Sequence, residues 1–279
     1  MSVFDPELAV KAMLPKELAA KSTSLHLAIH VHPEMVEVMV FDYDSNEVLW
    51  LEAFDVEGNS GEPFRDAVDF VTLKNWGDKV FRKTSISFDH PDFTLIPQGF
   101  VIPGKEGELL SFSTMRTAEN PEVAAVHEVG AALVYDLPQV VKGLTTRFPN
   151  AKFYSSCGFF LKEVVKSALH KDGFHALVQK GFLLVIACAK GEIKLTNHYG
   201  IQGQDDVLYH IANAAMRLDM HLPSSSLMLY GDSASEELKE LLDKYIGTVD
   251  FWTRPEHIRG VKNGEDHELY SVLIHAICG

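Results

Sequence analysis

At 279 residues the chain is longer than a single core usually fills, and its 46% apolar and 23% charged residues are the composition of a folded globular protein rather than a disordered one. With 39 acidic residues against 25 Lys and Arg, the formal charge is −14 and no basic run offsets it, which disfavours nucleic acid and anionic lipid as partners. The cysteines, Cys157, Cys188 and Cys278, have no disulfide-framework or zinc-ribbon spacing, no apolar run approaches the ~20 residues of a membrane span, and no secretory leader is recognisable, so a cytoplasmic protein is expected.

Residues 1–24, with Pro6, Pro15 and a helix-prone Lys16 to Lys21, read as an N-terminal arm. From Leu25 the pattern changes to period two: Leu25, Leu27, Ile29 and Val31 share one face of a strand. Pro33 interrupts it, Met35 to Phe41 returns, Asp44-Ser45-Asn46 supplies a turn, and Val48 to Phe54 completes a three-stranded meander. After the loop from Gly58 to Pro63, Phe64, Ala67, Val68 and Val71 fall on one helical face. Lys83 to Phe88 reads as a strand, and Thr94 to Pro97 as a short helical turn stopped by the proline.

The middle of the chain, Gly104 to Asp172, reads as a strand from Leu109 to Met115, two extended runs (Glu122 to Val126, Ala131 to Tyr135), a helix from Pro138 to Arg147, a strand from Ala151 to Tyr154 and a helix from Phe159 to Leu169. The pattern then sharpens into three strands (Phe174 to Gln179, Phe182 to Ala189, Glu192 to Tyr199), a helix (Asp205 to Met220), a strand (Ser226 to Gly231) and a helix (Ser235 to Ile246). Lys190-Gly191 closes the second hairpin, and Ser233 with Glu236 has capping-box spacing. A run from Asp250 to Trp252, a polar loop with Gly260 and Gly264, and an apolar ending from Leu269 to Cys278, readable as helix or strand with a helix favoured, finish the chain.

The order found in Gly173 to Ile246 can be laid over Leu25 to Ile96, so the chain reads as an internal duplication. Three antiparallel strands, a helix, a strand and a helix, given twice, resemble the ribonuclease H-like unit of the actin, sugar kinase and chaperone ATPase superfamily. More closely, Phe93 to Pro97, Leu137 to Pro149 and Asn197 to Gly231 resemble an uncharacterised bacterial family, a domain of unknown function with an actin-like ATPase fold. The resemblance implies an α/β protein of two ribonuclease H-like lobes, each a five-stranded mixed sheet flanked by helices. The expected divisions are residues 25–147, a first lobe with inserted strands, and 148–279, a second lobe with the C-terminal helix.

In active members of that superfamily, nucleotide lies between the lobes, against an Asp- and Gly-bearing turn after the first strand of each. Glycine admits backbone N–H groups to phosphate, and the carboxylate holds hydrated magnesium or orients water. Here the first turn reads His30-Val31-His32-Pro33-Glu34, without glycine or aspartate and with a proline that lacks a donor. The second, Gln179-Lys180-Gly181-Phe182, keeps one glycine, and the adenosine-side position Leu229-Tyr230-Gly231-Asp232 also has one. Lys180, Gly181, Gly231 and Asp232 are therefore the nucleotide-binding candidates, although an ordinary strand-to-helix turn is the preferred reading of Gly231.

His26, His30 and His32 fall on one side of a strand, and His30 with His32 forms a candidate metal chelate, against a plain reading as half-exposed strand histidines. An atypical site would have to enlist carboxylates from elsewhere, such as Asp42 or Asp232, with a plain turn residue the preferred reading of Asp42. Asp205-Asp206 fits a helix start, Cys188 a core position, and His127-Glu128 lacks the second histidine of a metalloprotease helix. The expected function is a scaffold or protein-binding module that needs no cofactor and docks a protein or peptide; the alternative is an atypical ATPase or kinase using ATP and magnesium in the inter-lobe cleft.

Overall fold

The computed structural model of the chain describes residues 14–56, 60–90, 92–167, 171–262 and 264–278. Most of the expected arm, residues 1–13, Gly58 in the first loop and the expected helix end at Leu169 lie outside them.

A short helix α1 (Lys16–Ala20) leads into β1 (His26–His32), β2 (Met35–Asp42) and β3 (Glu47–Asp55), then α2 (Arg65–Leu73) and β4 (Lys83–Phe88). An insertion follows: β5 (Phe93–Pro97), α3 (Glu106–Thr114), β6 (Pro121–Val126) and β7 (Ala131–Asp136). The first lobe resumes with α4 (Gln139–Lys142), β8 (Lys152–Ser155) and α5 (Ser156–Ser167). The second lobe is β9 (Gly173–Gln179), β10 (Phe182–Ala189), β11 (Glu192–Gly200), α6 (Gln204–Arg217), β12 (Ser226–Tyr230), α7 (Glu236–Leu242) and β13 (Thr248–Phe251). A two-residue β14 (Arg259–Gly260) and α8 (Tyr270–Cys278) end the chain.

The duplication holds strand by strand. The first sheet runs β14-β3-β2-β1-β4-β8 and the second β11-β10-β9-β12-β13, each with an antiparallel meander on one side of its first strand and parallel strands on the other. The two meanders have strands of 7, 8 and 9 residues in the same order. Each carries a register shift in the same place, between Val40 and Phe41 and between Ala187 and Cys188. Both first hairpins turn in two residues, Pro33-Glu34 and Lys180-Gly181.

Several sequence expectations change here. Thr94 to Pro97 is not a helical turn: Phe93–Pro97 is an edge strand paired with β7, and Pro97 ends it where the missing N–H costs little. Leu109 to Met115 is not a strand but part of α3, which buries only Leu110 and opens with Glu106 and Glu108 near its positive end. The second helix of the first unit is α4, placed beyond the insertion. The strand β8 pairs with β4, and β14 with β3, so the first sheet draws strands from beyond the expected 147/148 division. Ser235, rather than Ser233, caps α7 by accepting the Leu238 N–H at 3.2 Å.

Every residue of β1 and of β9 is buried, because each is a central strand covered on both faces. In the first lobe α2 covers one face with Ala67, Val68 and Val71, while α8 lies on the other, where Ala28, Ser85 and Ser87 are small enough to let it close in. In the second lobe Phe174, Ala176 and Val178 face α6 and α7. Their alternates, Leu177 and the β12 residue Tyr230, join the first lobe's core around Phe160 on α5 and Tyr270 on α8. The helices α5 and α8 thus lie in a core cluster shared by the first sheet and one face of the second, while the cluster beneath α6 and α7 stays separate. No helix among the described residues is long and apolar enough to cross a membrane.

Candidate functional site

The carboxyl ends of β1, β4 and β9 converge on a cleft of about 510 Å³ between the lobes. Both first hairpins reach it: His32, Pro33 and Glu34 line it from the first lobe and Lys180, Gly181 and Phe182 from the second. The ammonium of Lys180 lies 2.6 Å from Glu34 Oε2, so an ion pair joins the two turns across the cleft. Both groups are exposed, and water screens the pair. His32 is buried, and its Nδ1 accepts the Glu34 N–H at 3.2 Å, fixing the proline turn.

Asp89, directly after β4, forms the floor. Its Oδ2 accepts from His30 Nε2 at 2.9 Å, and both side chains are buried. Burial opposes charge on both, yet their mutual attraction and hydrogen bond win, raising the His30 pKa and lowering that of Asp89. Two more carboxylates stand close enough to be felt. Burial pushes Glu37, on β2, to about 8, with Asp232 and Asp89 adding to the shift. Burial, then the charge of Asp89, pushes Asp232 to about 6.

The wall is completed by Phe64, His90 and Arg116. Phe64 is a buried aromatic residue at φ 67°, in the left-handed region, where a bulky L side chain costs roughly 1–2 kcal/mol. Its ring packs on His90 with centroids 6.2 Å apart. Arg116 is exposed and reaches Asp92 at 3.5 Å.

A family model described as "Protein of unknown function (DUF3822)" matches residues 16–249. The chain belongs to that family. No curated protein matches it in sequence. Among solved structures, it is similar to a Bacteroides thetaiotaomicron protein with actin-like ATPase fold and unknown function, at 16% identity and a TM-score of 0.78, covering 93% of this chain and 98% of that one. It is also similar, at 10% identity and a TM-score of 0.52, to a chain in a PilM–PilN type IV pilus biogenesis complex, covering 91% of this chain and 99% of that one. The fold is therefore that of the actin-like ATPases, as the duplicated pattern implied.

Of the sequence candidates, Lys180 and Gly181 line the cleft, with Gly181 at φ 72° in its turn. Gly231, at φ 101°, serves packing: a Cβ there would run into the Val178 carbonyl, and its N–H donates to the His267 carbonyl at 2.7 Å. Asp232 is half-buried and is not among the residues that line the cleft, but it stands near enough to Asp89 and His30 for their charges to act on its carboxyl group. Asp42 stands at the opposite end of the first sheet, where its Oδ1 accepts the Asp44 N–H at 2.9 Å in a turn.

The strand histidines are buried, not half-exposed, because β1 is central. Both ring nitrogens of His30 are engaged, Nδ1 with Ser87 and Nε2 with Asp89, and no group of three or more His, Cys, Asp or Glu among the described residues is placed to hold a metal ion. Asp206 accepts from the Gln202 and Gly203 N–H groups at the start of α6. Cys188 is buried, and burial pushes its thiol to about 11. His127 and Glu128 sit in an exposed turn.

Sequence reasoning passed over Asp89, His90 and Arg116, and it read Phe64 as part of a helical face, whereas Phe64 precedes α2 in a left-handed conformation. A signal for the first was present: Ser85, Ser87 and Asp89 repeat with period two along a strand that is otherwise apolar at its core end.

Proposed function

We propose that this protein is a cytoplasmic, non-catalytic scaffold of actin-like fold that binds a protein or peptide partner. The observation that carries the reading is the state of the two hairpin turns. Where phosphate would need N–H donors and a magnesium carboxylate, the first turn offers Pro33, and Glu34 is tied to Lys180 of the second at 2.6 Å. The carboxylate of Asp89 on the cleft floor, with the charge of Asp232 near it, would repel phosphate, opposed by the buried His30. The PilM-containing neighbour is held in a complex with a protein partner, an analogy of fold that agrees with this reading and adds no more than that.

A second reading, nucleotide binding without efficient hydrolysis, has the cleft in its favour: about 510 Å³ between lobes, with Lys180 and Gly181 on its wall and a strained Phe64 beside them. Thermal unfolding with and without magnesium and ATP or ADP separates the two. Nucleotide at about 100 times its dissociation constant would stabilise the fold by about 2.7 kcal/mol. The scaffold reading expects no shift and no heat of titration at millimolar nucleotide. A shift of several degrees with stoichiometric binding would overturn it in favour of a nucleotide cleft, with hydrolysis the next assay.

A further inference from the structure

Strand β1 places His26 and His30 on the face that α8 covers, and β4 places Ser85 and Ser87 beside them, Ser87 directly opposite His30 in the register. From α8, His275 enters the same layer; all five side chains are fully buried. They form one unbroken line. His26 Nε2 is 2.6 Å from Ser85 Oγ, and Ser85 Oγ is 2.5 Å from His275 Nδ1. His275 Nε2 is 2.7 Å from Ser87 Oγ, Ser87 Oγ is 2.8 Å from His30 Nδ1, and His30 Nε2 is 2.9 Å from Asp89 Oδ2. His26 Nδ1, at the far end, is buried without a partner.

Counting protons fixes the direction of every bond. Each serine hydroxyl has one proton, and its partners are two ring nitrogens, so it donates to one and accepts from the other. With His30 neutral, its Nε2–H donates to Asp89 and its bare Nδ1 accepts from Ser87. Ser87 then accepts from His275 Nε2–H, His275 Nδ1 accepts from Ser85, and Ser85 accepts from His26 Nε2–H. Adding one proton to His30 reverses the line: Nδ1–H donates to Ser87, Ser87 to His275 Nε2, His275 Nδ1–H to Ser85, and Ser85 to His26 Nε2. Passed along the bonds, each proton moves one place towards His30, so the proton gained by the line as a whole is the one carried on His26 Nδ1. No hydrogen bond is lost in either direction.

We propose that the line from Asp89 to His26 is a one-proton relay, in which protonation of His30 at the cleft floor inverts both serine hydroxyls and the tautomers of His275 and His26. The surrounding charges keep the added charge at the cleft end. Asp89, Glu37 from β2 and Asp232 from beyond β12 favour a cationic His30, whereas His32, next along β1, is held neutral by its own burial. At the other end burial and Lys83 oppose charge: His26 is pushed down to about 3, and His275 is lowered by burial and by His26, His30 and Lys83. A change of charge beside Asp89 is thereby reported to α8 and to Tyr43, whose ring stacks on His26 at 5.4 Å, while only hydrogens move.

The test is the ring-nitrogen spectrum of ¹⁵N-histidine-labelled protein through a pH titration spanning His30, since nitrogen shifts separate the two neutral tautomers from imidazolium. The expected result is that His30 titrates above an ordinary histidine and that His275 stays neutral throughout, while its proton moves from Nδ1 to Nε2 as rising pH deprotonates His30. In Ser87→Ala, His30 still titrates and His275 no longer follows. The relay is wrong if His275 keeps one tautomer while His30 changes charge, if His275 or His26 becomes cationic before His30 does, or if His275 still follows in the Ser87→Ala protein.

Discussion

Glu37 lies in the middle of β2 with neither carboxylate oxygen hydrogen-bonded and the side chain wholly buried. Burial is the main reason its pKa stands at about 8, with Asp232 and Asp89 raising it further and His30 pulling it back. A carboxyl group whose pKa is higher in the folded than in the unfolded chain stabilises fully below the unfolded value. That contribution is lost as pH rises through the folded value. For Glu37 the window runs from the ordinary carboxyl range near 4.5 to about 8. Glu37→Gln keeps the shape and cannot ionise, so its melting temperature is expected to fall less than that of the wild type over this window. The gap should widen to an order of a few kcal/mol, or several degrees, at alkaline pH. Parallel melting curves across the window would mean that Glu37 remains protonated or finds solvent. The same burial explains why sequence reading misjudged His26, His30 and His32: period two gives the face of a strand, but only the sheet order makes β1 central and covers both faces.

At the next scale, the start of α7 shows how closely a local signal can mislead. Both Ser233 and Ser235 precede the helix; Ser233 has the box spacing to Glu236, yet Ser235 makes the bond, to the Leu238 N–H at 3.2 Å. Ser235→Ala should cost about 1 kcal/mol, the usual worth of a lost cap, and Ser233→Ala about half of that or less, both read as shifts in denaturant midpoint. Equal losses would return the cap to Ser233. The strands of the second meander were legible to within a residue at each end, because their period and the Lys180-Gly181 and Lys190-Gly191 turns are local features. The insertion was not. Its strand β5 exists through pairing of Phe93 with Tyr135 and Pro97 with Ala131, partners more than thirty positions away, and the apolar run of α3 has no period that separates helix from strand. Within the candidate site the same division applies. The turns were visible in the sequence, whereas Asp89 acquired its meaning only when β4 was set beside β1.

Across the whole molecule, the exposed Glu34–Lys180 pair is a weak tie between the lobes, worth between about 0 and 1 kcal/mol. The strong tie is apolar. Tyr230 and Trp252 of the second lobe pack against Phe160 on α5 and Tyr270 on α8, and α8 lies across the first sheet, so one core cluster takes residues from both lobes. The first sheet also needs β8, from beyond the expected lobe boundary. Two lobes that share a core in this way cannot unfold one at a time without exposing it, and the chain should melt in a single transition with equal calorimetric and van't Hoff enthalpies. Lys180→Ala should leave that transition single and its midpoint within about 2 °C of the wild type. A fragment of residues 25–147 lacks β8, α5 and α8, which leaves the Ser85, Ser87 and His30 layer open to water, and it should not fold alone. Two resolved transitions in the intact chain, or a folded 25–147 fragment, would make the lobes independent bodies. The cleft between them would then be a hinge rather than a groove in one rigid core.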